Sequence, residues 1–198
     1  MAASGTVALP PAPAPVRPRA VLVGSVLATG AAFVGVMAVI GIYLARRADV
    51  LAAGGTWLPD KADIPLTPSN MAFGTMLLSG LTLWWAVDAV RRGDRPSAFL
   101  AIGLTLLFGV AVINATVFIM KVSLIPVDTV TGVHFYGVVG AHLVMMIAGL
   151  LYVISQSLRV LAGDSGPVSR EGLTGAAIFW TATIAAHGVI WIAVYIAK

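Results

Sequence analysis

The sequence predicts an all-α membrane protein, a bundle of five transmembrane helices, and three observations lead there. Of 198 residues, 59% are hydrophobic and only 10% charged, with a mean hydropathy of +0.98. A soluble domain carries about 25% charged residues. The apolar residues are gathered into stretches that reach the roughly 20 residues a helix needs to cross about 30 Å of hydrocarbon. Proline, glycine and charge collect between those stretches, where a chain has to turn.

Residues 1–19 are rich in alanine and proline, with Pro10, Pro11, Pro13, Pro15 and Pro18 interrupting any helix, and read as a flexible tail. Residues 20–198 then form the transmembrane domain, with spans at about 21–45, 70–90, 97–121, 129–160 and 172–196. The first apolar run is too long for the 7 to 15 residue core of a signal peptide. Gly24, Ala28, Ala31, Gly35 and Ala38 recur along it at helical steps and read as a packing stripe. A polar loop from Asp49 to Pro68 follows, in which Trp57 is expected at a membrane interface. Ser69 and Asn70 are expected to cap the second helix, whose Trp84 and Trp85 read as an aromatic belt. The third helix ends near Lys121, and Pro126 and Asp128 break and cap the turn into the fourth. Gly163 to Arg170 links to the fifth helix, which carries Trp180, His187, Trp191 and Tyr195.

An odd number of spans puts the two termini on opposite sides. Arg17, Arg19, Arg91, Arg92, Arg95, Arg159 and Arg170 fall on the N-terminal side, against Arg46, Arg47, Lys61, Lys121 and Lys198 on the other. The positive-inside rule therefore expects a cytoplasmic N-terminus and an outside C-terminus. The net charge of +4 sits between spans, so it points to topology and headgroups and to no nucleic acid. With no cysteine, disulfides and thiolate metal sites are excluded. No internal repeat is evident, which counts against a transporter built from inverted halves.

Apart from Asp88 and Lys121, both near helix ends, the spans hold no Asp, Glu, Lys or Arg, whereas pumps and ion-coupled carriers place such groups at depth. No catalytic or metal residues are expected. His142 and His187 fall at similar depth on antiparallel helices, which makes them conceivable heme ligands. The plainer reading is that each imidazole hydrogen-bonds a neighbouring helix. Asn114 is a polar position deep in the third helix, and such an amide usually bonds across to a partner helix. Gly35, Asn114, Gly140, His142, Gly149, Trp180 and His187 are therefore the candidate packing, subunit-interface or lipid-interface residues.

Gly140-Ala141-His142, with Gly149 seven residues after the histidine, resembles the helix of heme–copper (cytochrome c) oxidase subunit III that carries Gly-aromatic-His-Gly-x-His and a glycine at that spacing. Met145 stands where the second histidine would be, and Ala141 replaces the aromatic. Similar order continues elsewhere. Gly54-Gly55-Thr56-Trp57 resembles the outer-loop Gly-Gly-x-Trp, Asn114-Ala115-Thr116-Val117-Phe118 falls where the family has Gln-Ala-Tyr-Glu-Tyr, and Phe179-Trp180-Thr181 falls where it has Tyr-Trp-His. Pro126 precedes the histidine-bearing helix, and Glu171 stands near the start of the last. The family's two intramembrane glutamates are missing, with Val117 at the second, and His187 has no clear counterpart.

The resemblance is to the family's divergent short five-helix bacterial form. It implies a non-catalytic component of a respiratory terminal oxidase in the bacterial cell membrane, stabilising catalytic subunit I, contacting other oxidase subunits and holding phospholipids. Heme and copper would belong to the catalytic partners, and this chain would carry no cofactor of its own. The residues leave two other readings open: a heme b membrane anchor using His142 and His187, and a small transporter or nitric-oxide-reductase accessory protein.

Overall fold

A computed structural model describes residues 19–164 and 166–198, so the tail expected over residues 1–19 lies, except for Arg19, outside the described residues. Among the described residues are five helices long and apolar enough to span a membrane. They are α1 (Ala20–Ala52), α2 (Leu66–Arg92), α3 (Arg95–Val122), α4 (Val130–Leu161) and α5 (Pro167–Ile190), the last prolonged by a π-helical segment, Trp191–Ile196.

Helix ends depart from the expected ones for local reasons. Arg46 and Arg47 close the apolar run of α1, yet the helix continues to Ala52, because charge ends a span without breaking a helix. Ser69 does not cap α2: the helix already begins at Leu66 after extended Pro65, and the Ser69 hydroxyl donates back to the Pro65 carbonyl at 2.8 Å. Asp128 does not cap α4 either. Thr129 does so, its Oγ1 accepting the Gly132 N–H at 3.0 Å. At the start of α3, Asp94 accepts the Ser97 N–H, and hydrogen bonding from Ser97 holds this carboxyl below its ordinary value. At the end of α2, Gly93 takes the left-handed conformation (φ 74°) that closes a helix at low steric cost. α5 begins at Pro167, whose missing N–H costs nothing in a first turn.

The packing is not sequential throughout. α2 and α3 form a hairpin, but α1 packs on α5 and α4 and barely meets α2. α5 touches α1, α2 and α4 and is the hub of the bundle. Leu173, Ala176, Ala177, Trp180, Ala186 and His187 on α5 are all fully buried. α1 is the least covered span, with Val23, Leu27, Val34 and Ile42 facing outward.

One end of the bundle is closed by the loop after α1. Trp57, expected at a membrane interface, is instead folded inward and only 3% exposed. Its indole N–H donates to Tyr43 Oη at 2.8 Å, the two rings meet edge-on at 5.2 Å, and its carbonyl accepts the Thr131 hydroxyl. Lys198 reaches Asp63 and the Ile64 carbonyl, and Arg47 donates to the Ala197 carbonyl. Together these contacts tie α1, the loop, α4 and the C-terminal residues into one layer.

Candidate functional site

Most polar side chains in the spans are satisfied at home. Thr29, Thr75, Thr105, Thr116 and Thr183 each donate to the carbonyl four residues back, as hydroxyls in apolar helices do. Others join helices: Ser25 of α1 to Tyr152 of α4 at 2.6 Å, and Thr82 of α2 to Thr105 of α3 at 2.8 Å.

At the centre, His142 of α4 and His187 of α5 are fully buried, and His142 Nε2 lies 3.0 Å from His187 Nδ1. The similar depth expected from the sequence brings them together, but as a hydrogen-bonded pair. A metal bound by both imidazoles, at about 2 Å to each nitrogen, would hold those nitrogens about 4 Å apart if it lay between them. In a neutral pair one nitrogen donates and the other accepts, so His142 Nδ1 and His187 Nε2 are left as one donor and one acceptor in whichever order. Neither outer nitrogen has a partner among the described residues. Phe73 stacks on His187 at 5.9 Å and Trp191 on Phe73 at 5.1 Å, while the Trp191 indole donates to Asn70 Oδ1.

One part of the bundle lower, Trp180 fills the space between α5, α2 and α4. Its indole N–H donates to Ser79 Oγ at 2.8 Å, and a Cβ added at Gly149 would come within 2.9 Å of its ring. The Gly149 reading therefore finds its packing partner inside the chain. Gly35 and Gly140, grouped with it in the sequence, have nothing within 4 Å of an added Cβ. Closer interhelical approaches at Gly80, Gly109, Gly172 and Gly175 had no signal beyond their being helical glycines. A Cβ at Gly175 would meet the Ser25 and Tyr152 hydroxyls, and one at Gly109 would meet Leu150.

Two hollows lie along the outer faces of α1, α2 and α5. The first is lined by Arg19, Leu22, Arg91, Arg170, Glu171 and Thr174. The second is apolar, with Val26, Gly30 and Phe33 from α1, Trp84 from α2 and Ile178, Ala182 and Ala185 from α5 among its walls. It begins one helical turn further along α1 and α5. From Leu22 to Phe33 the two cover about 16 Å of helix axis. Trp84, read as part of an aromatic belt, donates to Thr181 across this groove at 3.0 Å.

Asn114 lies apart from all of this, exposed on α3 beside Phe118 and Lys121. Among the described residues no group of three or more His, Asp or Glu could hold a metal ion.

Residues 26–198 match the family model described as cytochrome c oxidase subunit III. Among curated proteins, the chain is 26% identical over 148 residues to cytochrome c oxidase subunit 3 of Pelomedusa subrufa and 28% identical over 147 residues to that of Gallus gallus, each alignment taking 72% of this chain and 54% of the relative. It is 27% identical to the Felis catus protein over 159 residues, 78% of this chain and 59% of that one. The chain thus spans little more than half the length of the curated relatives it matches.

Proposed function

Because the chain belongs to the cytochrome c oxidase subunit III family, we propose that it is a non-catalytic component of a respiratory terminal oxidase that stabilises catalytic subunit I and holds phospholipid. The hemes and copper of such a complex reside in its catalytic subunits. The chain sits in the bacterial cell membrane with the Arg91–Arg95 turn in the cytoplasm and the Trp57 loop outside.

The observation that carries the lipid-holding role is the pair of hollows on α1, α2 and α5. Arg19, Arg91 and Arg170 offer cationic donors at one end, suited to a phosphodiester. With the apolar groove that follows, the two hollows extend about half of a 30 Å hydrocarbon core, the depth of one leaflet. A diacyl lipid fits that order of chemistry, headgroup first and chain after.

Gentle solubilisation of the native membrane tests the assignment: the polypeptides that co-migrate with this chain should include a heme-bearing oxidase subunit. Removing the chain should leave the partner's heme absorbance and initial rate intact while activity decays faster during turnover or heating, since helix faces shaped for contact become exposed. Migration without any oxidase subunit would overturn the assignment, and an unaltered inactivation half-life would remove the stabilising role.

A further inference from the structure

Most span hydroxyls find a partner within the chain, but the amide of Asn114, exposed on α3, does not. Its side chain faces outward on α3, and no hydrogen bond reaches it from any described residue. Lys121, which ends this span, is seven residues on, which places the amide about 10 Å inside the membrane boundary. Water is scarce at that depth. A primary amide exposed to acyl chains gives up hydrogen bonds that hydrocarbon cannot replace. Asn70, the comparable amide on α2, accepts the Trp191 indole N–H at 2.8 Å.

The surroundings of Asn114 form a face. Leu100, Leu107, Asn114 and Lys121 follow at seven-residue steps, and Leu100, Leu107, Val110 and Phe118 are each more than half exposed. Ala115, Val117, Phe118 and Lys121 line a hollow with Asn114, which leaves room beside the amide for another side chain. Lys121 is exposed at the boundary end of the same face and makes no ion pair among the described residues.

We propose that this face of α3 docks a transmembrane helix of another oxidase subunit, one that presents a hydrogen-bonding side chain to Asn114 and a carboxylate to Lys121. The proposal rests on the chain being a component of a multi-subunit complex. Lipid suits the leucines and Phe118 equally well, but it leaves the amide unsatisfied. A second helix with an Asn, Gln, Ser or Thr at the matching depth satisfies it.

The test uses the assembled complex in native membranes. Phe118→p-benzoylphenylalanine, irradiated in place, should cross-link to another oxidase polypeptide. Asn114→Leu should weaken retention of the chain on the detergent-solubilised complex by about threefold, the size of an average interhelical hydrogen bond, and Asn114→Gln should restore most of it. Thermal unfolding of the separated Asn114→Leu chain should be unchanged, which distinguishes lost docking from lost folding. Adducts to lipid alone, adducts to a second copy of this chain, or retention unaffected by Asn114→Leu would each overturn the proposal. Where the chain still co-purifies with a heme-bearing subunit, such an outcome leaves the subunit assignment standing.

Discussion

Gly149 of α4 lies against the indole of Trp180 on α5, so closely that a single added carbon would come within 2.9 Å of the ring and 3.1 Å of Phe179. Trp180 cannot retreat, because its N–H is committed to Ser79 on the far side. Gly149→Ala should therefore lower the thermal stability of the chain in detergent, with overpacking costing about 1 to 3 kcal/mol. Gly140→Ala, with open space around it, should be neutral or slightly stabilising. Equal melting temperatures for the two variants would remove the close α4–α5 approach as a stability determinant.

The His142–His187 pair predicts a specific non-additivity. Removing either imidazole with His142→Leu or His187→Leu leaves the other buried without its partner, while the double variant leaves neither. A double-mutant cycle on unfolding should return a coupling of about 0.6 to 1.7 kcal/mol, the range of interhelical hydrogen bonds in membranes. Additive losses would mean that the two rings are neighbours without being partners.

The lipid hollow can be tested by composition. Arg91→Ala and Arg170→Ala together remove two of the three arginines at its polar end. The purified complex should then retain less phospholipid per chain by phosphorus analysis, with little change in its polypeptide content. Substituting Gly30→Trp should fill the apolar groove and give the same loss from its other end. Unchanged phospholipid in both variants would show that lipid is held elsewhere or not at all.

Orientation can be read with single cysteines, because the chain has none of its own. Ala162→Cys, exposed at the end of α4, should be shielded from an impermeant reagent added outside intact cells, and Asp60→Cys, exposed in the Trp57 loop, should react. The opposite pattern would invert the topology and keep the five spans.

The spans were legible because composition and run length dominate in a membrane, where backbone groups have to be satisfied within each helix. The depth match of His142 and His187 was legible for the same reason, since a constant rise per residue turns sequence position into height. What could not be read is azimuth. Gly35, Gly140 and Gly149 look alike in sequence, and only Gly149 meets another helix within 4 Å of an added Cβ. Trp57 shows the same limit for loops. An amphipathic ring between prolines is expected at the headgroups, but Tyr43 and Thr131, distant in sequence, supply the hydrogen bonds that draw it inward. The cap of α4 lies one residue past Asp128, because Thr129 beside it takes that position, and α2 starts three residues before Ser69, after Pro65, with no side-chain cap.

The place of α5 at the hub has a consequence for how the chain is made. α1 is threaded into the membrane first, yet the helices it packs against are the fourth and the fifth. Until α4 and α5 emerge from the ribosome, α1 has no settled neighbour: Ser25 awaits Tyr152 of α4, and Ser79 and His142 await Trp180 and His187 of α5. Nascent chains halted before α5 should accordingly be substrates for membrane quality control. On the proposed subunit role, stable assembly with a partner should require the final helix, which closes the bundle.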